Sequence, residues 1–285
     1  MECLKLLESL DIFGYAGICV GTENSQLLQN SLIILQQENH FQKCYYWGKI
    51  YGVRNDYHIA FGFETDCLNN QVYYYSMDAF NWLLLPKANK CARFLTPLTI
   101  NKFEGDPSIV TNVYNINPPF PPNEDPRKYY DGPIPRELKE EDRLAATVEI
   151  INEDSMIIPR GAWFKRPNGD IIENLSFEGL DSTDALYLKS YLHARLPQQK
   201  WNTNLLTRPD YNYAIDFLDA IDVDVPQVYF FLLGCWNLQL INEKLIILHN
   251  LFWPGMMFYH KLNSPHYGFL YFGHGKKNMD IVFMV

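Results

Sequence analysis

The sequence contains no Cys-x-x-Cys pair, no secretory signal pattern and no apolar run long enough to span a bilayer. Its longest apolar run, residues 228–236, is about half of the ~20 residues that a transmembrane helix needs. Residues 1–11 carry four charged side chains, whereas the core of a signal peptide is apolar. We therefore expect a soluble chain whose thiols are reduced and mostly buried. The six cysteines are Cys3, Cys19, Cys44, Cys67, Cys91 and Cys235.

Clusters of basic residues are also missing. The 24 Lys and Arg residues are scattered among 33 Asp and Glu residues, which gives a net charge of −9. The densest basic runs are as short as Lys276-Lys277. Because an acidic surface without a basic stripe repels phosphate groups, the composition argues against nucleic acid and anionic membranes as partners.

The sequence patterns of nucleotide-binding and covalent enzymes are incomplete or missing. There is no Gly-x-Ser-x-Gly nucleophile elbow. Gly268 and Gly273 have the first spacing of a P-loop, but His274 stands where that loop requires lysine. Gly273-x-Gly275 is too short for a dinucleotide-binding fingerprint. We interpret this stretch as a turn that is rich in glycine.

Three histidines near the C-terminus are the candidates for a metal site. His260, His266 and His274 lie close in sequence to Asp280. Their spacing matches neither H-x-x-x-H nor H-x-H, so ordinary loop histidines are the favoured interpretation. The sequence therefore predicts no catalytic residue, no metal and no cofactor.

An acidic string precedes Pro226. It lacks the glycine and the final glutamate of a calcium loop, so we interpret it as a solvated helix end. Its members are Asp216, Asp219, Asp222 and Asp224.

The stretch Tyr191-x-His193-x-Arg195 offers a candidate general base. The favoured interpretation is that His193 and Arg195 are basic side chains at the C-terminus of a helix, where the helix dipole favours positive charge. Both interpretations place these side chains on a helix.

The residues that are present describe a globular α+β protein. Hydrophobic residues make up 47% of the chain and charged residues 20%, and the 19 Tyr and 18 Phe predict an aromatic core with tyrosine at protein–protein surfaces. The predicted helices are residues 2–10, 24–37, 137–151, 181–195 and 213–221. The predicted strands are residues 44–53, 57–63, 71–76, 82–85, 156–165 and 170–175, with more between 228 and 285. Leu28, Leu32 and Leu35 have helical spacing in the second helix, and Ile59, Phe61 and Phe63 alternate onto one face of the second strand. Asn168-Gly169 is predicted to close a hairpin through a type I′ turn. This order indicates a mainly antiparallel β-sheet with N-terminal helices and a few short helices.

A proline-rich segment divides the chain. Residues 117–135 contain seven of the 17 prolines, a density that excludes a helix or a central strand. We interpret this segment as a linker or surface loop between residues 1–116, the N-terminal helices with the sheet, and residues 136–285, a C-terminal α+β part. The alternative is one continuous domain.

Short segments in co-linear order resemble the radial spoke head protein family. They run over nearly the whole chain, and their order makes the resemblance specific. The segments are Tyr46-Trp47-Gly48-Lys49-Ile50-Tyr51-Gly52, Asp56-Tyr57-His58-Ile59-Ala60-Phe61-Gly62, Gly105-Asp106-Pro107-Ser108, Ile157-Ile158-Pro159-Arg160-Gly161-Ala162-Trp163-Phe164-Lys165, Phe177-Glu178-Gly179-Leu180, Asp216-Phe217-Leu218-Asp219, Asp224-Val225-Pro226, Trp253-Pro254-Gly255, Phe258-Tyr259-His260, Tyr267-Gly268 and Gly275-Lys276-Lys277-Asn278-Met279-Asp280.

The resemblance implies a non-catalytic component of the ciliary or flagellar axoneme, located in the cytoplasm and cytoskeleton. Radial spokes project from the outer doublets, and their heads meet the central pair apparatus and transmit signals that regulate the beat. The implied partners are radial spoke head proteins of the 4 and 6 type, the remaining spoke subunits and the central pair apparatus.

The matched glycines and tryptophans also have a physical interpretation. Gly48 and Gly52 allow a sheet to bend or two backbones to approach closely, and Trp47 and Trp253 are candidate core anchors. Because large aromatic side chains are usually buried, we expect these segments to determine the fold rather than to dock partners.

One departure from the family pattern Pro-x-Gly-x-Trp lies before Trp236. Removing residues 228–233 restores it as Pro226-Gln227-Gly234-Cys235-Trp236. The codon for Val228 can begin with the dinucleotide GT. The adjacent codons for Leu233 and Gly234 can contain the dinucleotide AG across their boundary. We therefore hypothesise that residues 228–233 translate a retained intron, and the alternative is a lengthened strand.

Three functional hypotheses follow from the sequence. The first is a structural spoke-head subunit. The second is a metal-assisted hydrolase that uses His260, His266 or His274, and the third is a soluble adaptor that acts outside the axoneme.

Overall fold

The computed structural model describes residues 1–14, 17, 20, 22–113, 137–198, 211–224 and 234–283. Its α-helices are α1 (Leu6–Gly14), α2 (Thr22–Glu38), α3 (Lys90–Leu95) and α4 (Glu140–Ser155). Its strands are β1 (Lys43–Ile50), β2 (Tyr57–Phe63), β3 (Val72–Ser76), β4 (Leu83–Leu84), β5 (Val110–Asn112), β6 (Glu137–Lys139), β7 (Ile157–Pro159), β8 (Trp163–Lys165), β9 (Ile171–Glu173), β10 (Tyr191–His193), β11 (Trp236–Ile241), β12 (Leu245–Asn250), β13 (Met256–Lys261) and β14 (Tyr267–Gly273). Short 3-10 helices occupy Cys3–Lys5, Thr96–Leu98, Asp184–Leu186, Leu188–Ser190, Ile221–Val223 and Asp280–Phe283.

An eight-stranded sheet organises the molecule in the order β11-β12-β13-β14-β1-β2-β3-β4. All neighbouring strands are antiparallel except β1 and β14, which are parallel and join the two ends of the chain. Three small ribbons, β5–β6, β7–β10 and β8–β9, complete the β-structure of the described residues. The predicted α+β class with a mainly antiparallel sheet is confirmed.

The parallel contact between β1 and β14 depends on Gly48. Gly48 pairs with Tyr271 at a bulge in β1, and its φ is +145°. A Cβ atom at Gly48 would lie 2.1 Å from the carbonyl oxygen of Tyr271, a distance that side chains cannot tolerate. The predicted close approach of two backbones at Gly48 is therefore confirmed.

The sheet carries a hydrophobic core on each face. On β1, Tyr46 packs into the core beneath the N-terminal helices, and its neighbour Trp47 packs into the core beneath α4. This alternation is the period of two that an extended strand imposes on its side chains. In α2, the predicted stripe of Leu28, Leu32 and Leu35 is buried in the first of these cores.

Two predicted helices are wrong. Residues 181–195 form two 3-10 turns and then β10, because Tyr191, Leu192 and His193 pair with β7. Residues 213–221 form turns in which Ala214 and Asp219 use their carbonyl oxygens to accept hydrogen bonds from Lys165 and His193. These tertiary hydrogen bonds override the helical spacing of the side chains.

Some sequence predictions concern residues that the structure does not describe. Residues 117–135 and 228–233 lie outside them, so the linker and retained-intron hypotheses stay predictions. Of the six cysteines, five are described, and all five are free thiols. No described helix combines the length and the apolarity that crossing a membrane requires.

Candidate interaction surface

Helix α4 is fixed to the sheet by the polar tips of aromatic side chains. Trp47 donates its indole N–H to Oδ1 of Asn152 at 2.6 Å, and Tyr57 donates its hydroxyl to Oε1 of Glu140 at 2.8 Å. Both rings come from the sheet and are fully buried, so each hydrogen bond satisfies a donor that would otherwise be lost in the core. The matched residues Trp47 and Tyr57 thus position a helix.

The Gly-Asp-Pro-Ser segment has the same structural role. The carboxylate of Glu140 accepts backbone N–H groups from Glu104 at 2.9 Å, Gly105 at 2.8 Å and Asp106 at 3.3 Å. Gly105 has a φ of +90°, and a Cβ there would lie 2.3 Å from the carbonyl oxygen of Asn55. The segment therefore needs glycine to bring its backbone around a buried carboxylate.

Lys277, near the C-terminus, makes contacts within the protein. Lys277 donates to Oδ2 of Asp154 at 2.7 Å, and its ammonium group lies 5.0 Å from the ring centroid of Phe252. Trp253 donates to the same carboxylate oxygen at 3.0 Å. Lys277, in the family-matched segment 275–280, therefore binds the C-terminal end of α4. Trp253 is a buried anchor, as predicted.

The acidic string does not form the solvated helix end that the sequence predicted, because only Asp222 of its four members is exposed. Asp216 is buried and binds Arg160, with Nε at 2.5 Å from Oδ1 and Nη2 at 2.7 Å from Oδ2. Asp219 is also buried and accepts Nη1 of Arg195 at 2.6 Å. These partners are distant in sequence, so a reading of local spacing misses them.

His193 and Arg195 are not at a helix C-terminus either. His193 is buried on β10, and its Nε2 lies 2.9 and 3.0 Å from the two carboxylate oxygens of Asp224. Trp236 donates its indole N–H to the same carboxylate at 2.7 Å. Within the described residues the Nδ1 atom of His193 has no hydrogen-bond partner. No described nucleophile is therefore hydrogen-bonded to the His193–Asp224 pair through this atom. The arrangement fixes residues 211–224 against β10 and β11.

The three histidines of the candidate metal site have separate environments. His260 is buried and accepts the N–H of Leu180 on Nε2 at 3.0 Å, and burial lowers its pKa to about 4. His266 is contacted by the Lys5 ammonium at 3.3 Å, while His274 is exposed beside the ring of Tyr51. In the part of the chain that the structure describes, no three His, Cys, Asp or Glu side chains could hold a metal ion together.

A cleft of about 250 Å³ lies between the N-terminus and β14. In its wall Lys43 binds Glu173 at 2.5 Å and Glu2 at 3.5 Å, and Lys5 contacts His266. Tyr45 donates its hydroxyl to Glu173. The charges of Lys43, Glu2 and Glu173 are therefore used within the wall of the cleft.

An exposed apolar patch lies where α2 meets the β4 end of the sheet. Ser31 on α2 donates its hydroxyl to the carbonyl oxygen of Ala79 at 2.7 Å and accepts the indole N–H of Trp82 at 3.1 Å. Leu27 and Ile34 lie on the same face of α2 as Ser31, one helical turn to either side. We define the edge patch as five side chains that are 41–60% exposed: Leu27, Ile34, Met77, Phe80 and Leu84. Leu83, which pairs with Tyr75, lies on the opposite face of the sheet.

The strand at this edge offers little backbone for pairing. β4 is two residues long, and Leu85 donates its N–H to Tyr73 at 2.9 Å, so the N–H and C=O of Leu84 point away from β3. Pro86 then removes the next donor along the chain. The edge patch is therefore a surface of side chains.

Sequence reasoning missed the edge patch. The available signal was a second apolar stripe on α2, because Leu27 and Ile34 lie beside the buried stripe that was recognised. Helical periodicity reveals that a helix has two apolar faces, but it does not show which of them the fold covers.

The chain is similar to radial spoke head proteins along its whole length. The family model described as Radial spokehead-like protein matches residues 1–86, a span that includes the whole edge patch. The radial spoke head protein 9 homologs of Bos taurus, Homo sapiens and Danio rerio are 34%, 33% and 35% identical to it. Each alignment covers 100% of this chain and 100% of the relative.

Proposed function

The chain belongs to the radial spoke head protein 9 family, and we propose that it is a structural component of the axonemal radial spoke head in cilia and flagella. The observation that carries this proposal is the identity of 33–35% with radial spoke head protein 9 homologs over the full length of both chains. The location that follows is the ciliary or flagellar axoneme, within the cytoskeleton.

We propose further that the subunit contributes to assembly of the spoke head and to regulation of the beat. Its partners in this role are spoke head proteins of the 4 and 6 type, the remaining spoke subunits and, through contact of the head, the central pair apparatus. A rigid framework supports this role: α4 is held by indole and phenol donors, and buried ion pairs hold residues 211–224. A subunit that transmits force needs such fixed contacts.

The role that we propose is non-catalytic. It is supported by the way the described polar side chains are used. Asp216 and Asp219 neutralise arginines, and Asp224 binds His193 and Trp236. These groups stabilise the fold instead of facing a substrate-sized opening.

Deletion of the gene followed by cryo-electron tomography of the axonemes tests the proposal. We expect density to be lost from the spoke heads while the doublet microtubules stay intact, and we expect re-expression of the chain to restore it. Spoke heads that are unchanged after deletion would contradict the proposal.

Two further measurements separate the alternative functions. A fluorescent fusion confined to the cytoplasm, with empty cilia, would favour an adaptor that acts outside the axoneme. Stoichiometric zinc or manganese in the purified protein would favour a metal-assisted hydrolase.

A further inference from the structure

We propose that two copies of this chain associate through β11, with the two β11 strands paired antiparallel so that the sheet continues from one copy into the other. This contact is a property of the molecule beyond its place in the spoke head, and it holds whether or not the proposed function does.

The outer backbone groups of β11 are unpaired in the described part of the chain. Leu251 donates its N–H to the carbonyl oxygen of Cys235 at 2.8 Å, so these two residues form a hydrogen-bonded pair in the same register as β11 and β12. Because hydrogen-bonded and non-hydrogen-bonded pairs alternate in an antiparallel ladder, Trp236, Leu238 and Leu240 direct their N–H and C=O groups away from β12. No hydrogen bond within the described residues reaches these groups. They form a row of donors and acceptors onto which another strand can pair.

The usual obstacles to pairing at a sheet edge are missing from β11. The strand is six residues long and contains no proline, glycine or charged residue. At the other edge of the sheet, β4 has two residues and Pro86 follows it closely. In β11, Gln239 and Leu240 are exposed, Leu240 by 42%. Natural edge strands are commonly protected by lysine, proline, a bulge or short length, so an open and uncharged edge of this length indicates contact by strand addition.

The distribution of charge favours a second copy as the occupant. The whole chain has a net charge of −9, which opposes contact between copies over most surfaces. The β11–β12 hairpin is an exception, because residues 234–250 contain a single acidic and a single basic side chain, Glu243 and Lys244. Two copies that meet along β11 therefore bring no like charges together within the strand.

The sequence of β11 is also complementary to itself when two copies run antiparallel. A two-fold axis at Leu238 places this residue opposite Leu238 of the other copy, and it places Trp236 opposite Leu240. All the outward backbone groups of both strands then have partners within the two strands. On the other face Asn237 lies opposite Gln239, where the two side-chain amides can hydrogen-bond. Moving the axis to a neighbouring residue leaves an outward residue of each β11 without a partner in the other.

Sedimentation velocity of the purified full chain, over about 1–200 µM, measures the association. We expect a monomer that converts to a dimer as the concentration rises. Leu238→Pro removes an outward N–H without removing a hydrogen bond to β12, and Leu240→Lys places a charge opposite Trp236 of the other copy. The matched control is Leu84→Pro, which removes an outward N–H from β4 at the opposite edge of the sheet.

We expect each β11 variant to raise the dissociation constant about tenfold or more, and the Leu84→Pro control to stay within about twofold of the wild type. Circular dichroism and melting temperatures check that each variant is folded. Because Leu240 is an exposed position, Leu240→Lys carries the test if Leu238→Pro does not fold.

A cysteine at the two-fold axis tests the register. In the proposed dimer the Leu238→Cys side chains of the two copies are directly opposite, with Cα atoms about 5.5 Å apart. A short thiol-specific cross-linker such as dibromobimane should then join them into a covalent dimer. Leu84→Cys, at the other edge, and the wild type should give no such product.

Two outcomes would overturn the inference. A dimer that both β11 variants form with wild-type affinity would place the contact elsewhere on the molecule. A wild-type chain that stays monomeric up to about 200 µM would exclude a second copy as the occupant. In that case, a different spoke head protein that binds the wild type but not Leu238→Pro would be assigned to β11. Neither result decides the proposed function, which the tomography of deletion axonemes tests separately.

Discussion

Arg160 and Asp216 form a two-point ion pair in the interior of the protein, with N–O distances of 2.5 and 2.7 Å across 56 residues of sequence. The carboxylate side chain is 0% exposed and the guanidinium side chain is 16% exposed. The pair ties the turn before β8 to the segment of residues 211–224, whose described structure is otherwise mainly turns. Its burial makes it a sensitive point for the stability of the whole molecule.

Arg160→Ala should lower the free energy of unfolding by about 3–5 kcal/mol, because it leaves the Asp216 carboxylate buried without its main counter-charge. The matched control is Arg93→Ala, which removes ion pairs to Glu149 and Glu153 whose side chains are 36–41% exposed. That control should cost less than about 1 kcal/mol, since exposed pairs contribute little. Urea denaturation measures both, and equal losses would contradict the importance assigned to the buried pair.

Trp47→Phe should destabilise the protein more than Trp253→Phe, although both changes remove an indole donor from a buried ring. In the first variant Oδ1 of Asn152 loses the hydrogen bond that Trp47 donated, which costs about 1–3 kcal/mol for a buried acceptor. In the second variant Asp154 still accepts from Lys277 at 2.7 Å. Thermal unfolding compares them, and a larger effect at Trp253 would show that the contact with Asn152 is not the dominant one.

Gly48→Ala should be far more damaging than Gly169→Ala. Both glycines have positive φ, +145° and +98°, so both changes impose backbone strain. At Gly48 the new Cβ would also collide with the backbone of Tyr271 at 2.1 Å, whereas nothing lies within 4 Å at Gly169. We expect Gly169→Ala to cost about 1–2 kcal/mol and Gly48→Ala to prevent the parallel pairing of β1 with β14. Circular dichroism and melting temperatures test this, and a Gly48→Ala protein as stable as Gly169→Ala would refute the close approach.

Stability should fall as the pH drops from about 6.5 to 4, in part because of the buried His260 and the half-buried His58. Burial lowers the pKa of His260 and of His58 from 6.5 to about 4 in the folded protein. The unfolded state therefore takes up protons first, so this stability is complete above pH 6.5 and is lost as the pH falls towards 4.

His260→Gln should reduce this dependence on pH, because the glutamine amide oxygen can accept from Leu180 without titrating. Each histidine should contribute on the order of 3 kcal/mol across the window. Urea midpoints between pH 4 and 7 measure the effect, with the exposed His274→Gln as control. Parallel curves for wild type and His260→Gln would rule out His260 as a source of the pH dependence.

Patterns that depend on near neighbours in the sequence predicted the fold well. The alternation of residues in β2 and the stripe of Leu28, Leu32 and Leu35 both identified buried faces. The turn at Asn168-Gly169 does join β8 to β9, but only Gly169 of this pair has positive φ, so the turn is not the predicted type I′.

Contacts between distant residues decided the predictions that failed. Residues 181–195 have helical spacing, yet the backbone of Tyr191, Leu192 and His193 pairs with β7 instead. The spacing of the acidic string predicts a solvated segment, but the fold brings Arg160 to Asp216 and Arg195 to Asp219. The edge patch was missed for a related reason, because periodicity does not show which apolar face remains uncovered.

Cross-linking mass spectrometry on isolated axonemes tests most directly whether this chain is held by neighbours in the spoke head. Lys87 is exposed immediately after Pro86, next to the edge patch, and serves as the reporter. The account predicts cross-links from Lys87 to another radial spoke head protein. A chain that is absent from the axonemes, or that forms no link to any spoke protein, would contradict it.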